Sequence, residues 1–81
     1  MNKRIGVVGI VVKNLENVDK VNSILHEYSA IIVGRLGVPY REKDISIISL
    51  IIDGTSDEVS AMTGKLGIIQ GVNVKSALTK V

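Results

Sequence analysis

The segment Arg4-Ile5-Gly6-Val7-Val8-Gly9-Ile10-Val11-Val12 is apolar at odd and even positions alike, the pattern of a strand covered on both faces. Lys13-Asn14-Leu15-Glu16-Asn17 interrupts it. Val18, Val21, Ile24, Leu25 and Tyr28 then fall on one helical stripe, with Asn17 placed to accept an orphan backbone N–H at the helix start. Ala30 to Val38 reads as a strand again, with Gly34 and Gly37 as points where it bends or bulges. Pro39 to Asp44 is polar and has the length of a hairpin loop. Ile45 to Ile52 is the strongest strand signal, again apolar on both faces. Asp53-Gly54 ends it, and Thr55-Ser56-Asp57-Glu58 is a capping box with Thr55 as N-cap. Val59, Met62 and Leu66 form the buried stripe of a second helix, and Gly67 is the expected left-handed stop. Gly71 to Leu78 closes the series as a strand with one wet face, Asn73, Lys75, Ala77 and Thr79.

The order β-α-β-β-α-β predicts an α+β, ferredoxin-like fold, a four-stranded antiparallel sheet with two helices on one face. Right-handed crossovers place the first and third strands at the centre, side by side and, on this reading, parallel. No linker or repeat divides residues 1–81, which read as one domain. Composition agrees, since 12 Ile and 12 Val among 81 residues are β-branched side chains that suit pleated surfaces. Lys3 and Arg4 ahead of an apolar run faintly resemble a signal peptide, but no small-residue cleavage site follows. No apolar run approaches the ~18 residues that cross a bilayer, so no membrane association is expected. The absence of cysteine rules out disulfides and thiolate ligands and suits the cytoplasm. A net charge of +2 is a weak nucleic-acid footprint.

Candidate chemistry is sparse. The one histidine, His26, falls off the Val21–Leu25–Tyr28 stripe and reads as a solvated helix residue. Asp53, Asp57 and Glu58 sit where a helix N-terminus welcomes negative charge. One His and no Cys cannot complete a transition-metal site, so no metal, no cofactor and no catalytic residues are expected. Asp53-Gly54-Thr55-Ser56 at a strand-to-helix turn lacks both a Walker lysine and a dinucleotide fingerprint. Gly64-Lys65-Leu66-Gly67 has the letters of the KH clamp but lies at a helix end before a strand. RNA-recognition modules share this element order and stack bases on aromatic residues, yet the chain has no Phe and no Trp. The most unusual surface run is Gly34-Arg35-Leu36-Gly37-Val38-Pro39-Tyr40-Arg41. Arg35, Tyr40 and Arg41 are its candidate ligand- or partner-binding residues, because an arginine fork suits a carboxylate. The alternative is a hairpin with solvated arginines and Tyr40 at a sheet edge.

That run is followed by Ile47 to Ile52, Asp53 to Glu58, Thr63-Gly64-Lys65-Leu66-Gly67 and Gly71-Val72-Asn73-Val74-Lys75. Together these resemble the small regulators associated with iron-only hydrogenase systems, over essentially the whole chain. The resemblance implies an isolated ferredoxin-like domain similar to ACT domains and to the effector domain of nickel-responsive repressors. The nickel-binding relatives carry histidines and a cysteine on strands matching Ala30–Val38 and Ile45–Asp53, where this chain has none. Amino-acid-binding ACT domains often use a glycine-containing turn after the first strand, and Lys13 to Asn17 has no glycine. The implied role is a non-enzymatic regulatory or sensory module that self-associates and binds a small molecule or a protein partner. The alternative is an accessory protein contacting hydrogenase maturation enzymes.

Two further expectations concern partners. Both helices are needed to cover the sheet, so the isolated chain has no recognition helix to spare for sequence-specific DNA. They cover one face only, and on the central strands Ile5, Val7 and Val11 oppose Val8, Ile10 and Val12, while Ile45, Ile47 and Ile51 oppose Ile48, Leu50 and Ile52. One apolar set is therefore left open, and a homo-oligomer, dimer or tetramer, is expected to cover it.

Overall fold

The computed structural model describes residues 3–80. Strands β1 (Lys3–Val12), β2 (Ile32–Tyr40), β3 (Ile45–Thr55) and β4 (Val72–Lys80) form one sheet, and helices α1 (Val18–Glu27) and α2 (Ser56–Gly67) lie on one of its faces. The strand order is β2-β3-β1-β4 and every neighbouring pair is antiparallel. β1 and β3 are central neighbours, as expected, but they are antiparallel and not parallel. The physical reason lies in the two kinds of connection. The β1–α1–β2 crossover makes β1 and β2 parallel and leaves a gap one strand wide between them. The short connection after β2 returns the chain into that gap as β3, which must run the other way.

The even-numbered side chains of the central strands point at the helices. Val8, Ile10 and Val12 of β1 and Ile48, Leu50 and Ile52 of β3 are buried there. Cross-strand register pairs Ile10 with Ile48 and Val8 with Leu50, so the two sets meet as adjacent rungs. α1 adds Val21 and Leu25, and α2 adds Val59, Met62 and Leu66, the stripe read from spacing. No polar or charged side chain is buried among the described residues.

Three local expectations need correction. Asn17 occupies the cap position of α1 but makes no side-chain cap bond. Its amide donates to the Gln70 carbonyl (2.8 Å), while Asn14 accepts from the Glu16 N–H (3.2 Å) at the head of a short 3-10 turn, Leu15–Asn17. Gly67 does not stop α2 in a left-handed turn. It stays helical, and the reversal is deferred to Gly71, with φ 79°. A Cβ on Gly71 would come within 2.9 Å of the Asn14 Cβ, because the Gly71 carbonyl accepts from the Lys13 N–H (2.6 Å) and pulls the two connections together. The hairpin loop is shorter than Pro39–Asp44, since β2 continues through Pro39 and Tyr40 and only Arg41–Lys43 and a left-handed Asp44 (φ 53°) make the turn. Pro39 is tolerated because β2 is an edge strand, where a missing N–H costs no ladder bond.

The capping box forms as read: Glu58 N–H donates to Thr55 Oγ1 (3.1 Å) and Thr55 N–H to Glu58 Oε1 (2.9 Å). The Thr55 backbone bond, and then its side-chain bond, hold the Glu58 carboxyl below its ordinary value. A carboxyl lowered by folding stabilises the fold fully above the unfolded-state value and loses that contribution as pH falls through the folded one. Between about pH 5 and pH 3 the Glu58→Gln variant is therefore expected to lose less melting temperature than the parent, read by circular dichroism.

Two glycines of β1 separate structural need from open space. A Cβ on Gly6 would collide with the Ala77 carbonyl oxygen and lie 2.8 Å from the Leu78 Cα, backbone that cannot step aside. A Cβ on Gly9 would meet only the Lys75 carbonyl oxygen, at 3.9 Å. Gly6→Ala is expected to cost about 2–3 kcal/mol. Gly9→Ala is expected to cost at least ~1 kcal/mol less than Gly6→Ala, because its Cβ meets only that one oxygen within the chain. Urea unfolding at one fixed protein concentration compares them.

Candidate functional site

The geometry of the candidate residues is decided by one irregularity. Ile32 pairs with Ile52, but Gly34 pairs with Ile51, so β2 carries an extra residue, Val33, as a bulge. Before the bulge, even positions face the helices; after it, odd positions do. Arg35, opposite buried Leu50, is thereby placed on the helix side. Leu36, Val38 and Tyr40, opposite Ser49, Ile47 and Ile45, are placed on the open side. The sequence reading held Arg35, Tyr40 and Arg41 as one constellation. The structure separates Arg35 from Tyr40 by a sheet face and by about 16 Å of strand. Tyr40 and Arg41 stay together at the hairpin end, where both are exposed.

On the helix side, Arg35 Nη2 donates to Asn22 Oδ1 of α1 at 2.9 Å. The pair borders a groove of about 460 Å³ between α1 and β2, lined also by His26, Ser29, Val33 and Gly34. Asn22 and His26 are four residues apart on α1, one turn, and so flank the groove together. This grouping was missed in the sequence, where His26 read as solvated and unrelated to Arg35. The signal was the i, i+4 spacing of Asn22 and His26, which says nothing of β2 until the bulge is known. One of the five guanidinium donors of Arg35 is engaged by Asn22, which leaves the others for an anion or solvent.

At the opposite edge, a second groove of about 440 Å³ runs between α2 and β4, lined by Ser60, Thr63, Gly64, Gly67, Asn73 and Ser76. Gly64 and Gly67 thus belong to a helix flank. On the surface joining the helices, Lys65 Nζ meets Glu27 Oε2 at 2.7 Å and lies 5.2 Å from the Tyr28 ring centre. The Glu27 hydrogen bond, and then the neighbouring Tyr28 side chain, raise the Lys65 ammonium above its ordinary value. Among the described residues no three His, Cys, Asp or Glu side chains gather to hold a metal ion, and no helix is long and apolar enough to cross a membrane.

The open face is built in cross-strand rows. Ile51 and Val7 form one, with Gly34 and Ala77 at its ends; Val38, Ile47 and Val11 form another, ending at Asn73. Between them runs Leu36, Ser49, Gly9 and Lys75, whose two central members are small. A hollow of about 290 Å³ opens there against Gly34, Leu36, Ser49 and Ile51. Val7 and Ile51 are nearly half exposed, at 45% and 49%.

Arg35→Ala removes one exposed hydrogen bond and no core contact. It is expected to change stability by less than about 1 kcal/mol in urea unfolding, a small cost that leaves the side chain available for binding.

A family model described as "TM1266-like: Iron-only hydrogenase system regulator, putative" matches residues 4–76. The structure of uncharacterized protein TM1266 from Thermotoga maritima is 39% identical, with a TM-score of 0.91 over 98% of this chain and 100% of that one. Two structures of CPII, a nitrogen regulatory PII-like protein from Thiomonas intermedia K12, share the fold. The apo form is 11% identical, with a TM-score of 0.63 over 96% of this chain and 91% of that one. The form bound to ADP, AMP and acetate is also 11% identical, with a TM-score of 0.59 over 100% and 92%. A comparison with curated proteins finds no match.

Proposed function

Because the chain belongs to the TM1266-like family of iron-only hydrogenase system regulators, we propose that it is a non-enzymatic cytoplasmic module that self-associates, as a dimer or tetramer, and signals the binding of a small anion. Arg35 is the residue assigned to the anion, in the groove between α1 and β2. Tyr40 and Arg41, at the exposed hairpin end, are assigned to a protein partner. The observation that carries the reading is that the bulge at Val33 holds Arg35 beside a groove while passing its apolar neighbours to the opposite face. One strand thus touches both the ligand groove and the surface expected to be shared between copies. The PII-like CPII, bound in one structure to ADP, AMP and acetate, supports an anion-binding use of this fold by analogy of architecture.

The accessory role toward a hydrogenase maturation enzyme is the second reading. It is favoured by the projection of the hairpin end, where every residue from Leu36 to Asp44 is exposed.

The test is thermal melting of the parent and of Arg35→Ala with adenine nucleotides, acetate and bicarbonate, together with mass spectrometry of material copurified from native cells. A ligand at a hundred times its Kd adds about 2.7 kcal/mol, a rise of roughly ten degrees or more for a domain of this size. That rise is expected in the parent and not in Arg35→Ala. No shift with any of these anions and no retained small molecule overturns the sensor reading. A maturation protein retained without a ligand selects the accessory one.

A further inference from the structure

The open face carries more than an exposed apolar patch. Its relief is that of a surface made to receive itself. Successive rows of a sheet face are spaced ~6.8 Å apart, so the row through Ile51 and Val7 and the row through Ile47 and Val11 stand ~14 Å apart as two ridges. Ser49 and Gly9 lie between them as the floor of a trench, with Leu36 and Lys75 at its two ends.

We infer that a second copy of this chain seats on the open face, a ridge of each sheet lying in the trench of the other. This rests on the self-association in the proposed function and says where it occurs. A two-fold arrangement is isologous, so ridge and trench must be complementary on one surface, and here they are. The charges of the face, Lys3, Asp53 and Lys75, lie at its periphery, and its centre offers nothing to recognise an acidic or basic partner. It also has no Phe or Trp for stacking nucleic-acid bases.

Area points the same way. Four strands ~4.8 Å apart and five rows ~6.8 Å apart make a face of roughly 19 by 30 Å, close to 550 Å². Two such faces remove roughly 1,100 Å² from water, above the ~1,000 Å² that a specific interface clears. The bulge is part of the device. Without the extra residue Val33, Leu36, Val38 and Tyr40 would turn to the helix side, and the apolar surface would end at β3.

Gly9 supplies the discriminating test, because a Cβ there makes only an ordinary contact with the Lys75 carbonyl oxygen, at 3.9 Å, within one chain, whereas a side chain there fills the trench between two. Sedimentation equilibrium at low micromolar concentration is run on the parent, Gly9→Val, Ile47→Lys, Val38→Lys and the control Ile68→Lys. Ile68 is 86% exposed in the turn after α2, away from the sheet face. The parent and Ile68→Lys are expected to sediment at twice 8.7 kDa or a higher multiple. The other three are expected to dissociate at least ~100-fold more readily while keeping the parent circular dichroism, since each puts bulk or charge into a dry interface. Val38→Lys lies on the edge strand, where the lysine of a lone chain reaches water, so folding of that variant is secure. A monomeric parent overturns both this inference and the self-association it rests on. An oligomer that survives all three substitutions leaves self-association standing and overturns the face assignment alone, moving the contact to an edge or to the helices.

Discussion

The pairing of β1 with β3 is the interaction on which the other elements depend. It runs unbroken from Lys3 opposite Thr55 to Val12 opposite Ser46. Both strands are apolar on both faces, so this one ladder presents two hydrophobic surfaces at once. The helices are committed to one of them by connection length and handedness. α1 must cross over from β1 to β2 and α2 from β3 to β4, and right-handed crossovers put both on the same side. The second surface is therefore a necessary product of the first. A chain with this pattern cannot bury its core without also making an exposed one.

The parts legible in the sequence were those governed by periodicity. The buried residues of α1, α2 and the central strands follow directly from 3.6- and 2-residue spacing, and the capping box followed from its letters. What escaped was decided by register and by tertiary hydrogen bonding. A single extra residue at Val33 inverts the facing of every later β2 position, and no spacing rule announces which residue will bulge, although Gly34 marked the neighbourhood. That inversion put Arg35 on the helix side, bonded to Asn22 and beside the groove that His26 also lines, while its odd spacing of five from Tyr40 is what sets the two on opposite faces. Asn17 and Gly67 carried sound local signals for cap and stop. The contact between the two connections, Asn17 to Gln70 and Lys13 to Gly71, reassigned both. The antiparallel sense of β1 and β3 follows from the fold class, since the strand that fills the gap left by a crossover runs opposite to the two strands it separates.

The two surfaces of interest are linked through β2. Arg35 and Leu36 are consecutive, one bonded to α1 and one at the end of the trench. β2 differs from the other strands in its local structure. It is an edge, it is bulged, and it carries Gly34 and Gly37, at which an added side chain would meet no atom within 4 Å.

The pairing of β1 with β4 has a consequence for how the chain reaches this state during synthesis. Arg4 pairs with Lys80 and Val12 with Val72, so one side of the first strand made is completed only by the last. A nascent chain can form the β1–α1–β2–β3 portion on leaving the ribosome, but it then holds a central strand as an open edge. Contacts this distant in sequence make folding slow compared with helical domains of equal length. During that interval the molecule exposes an apolar edge as well as an apolar face, and it is at its most prone to joining the wrong neighbour. In the folded chain the Gly71 turn, through its carbonyl's hydrogen bond from the Lys13 N–H, holds the start of β4 against the end of β1.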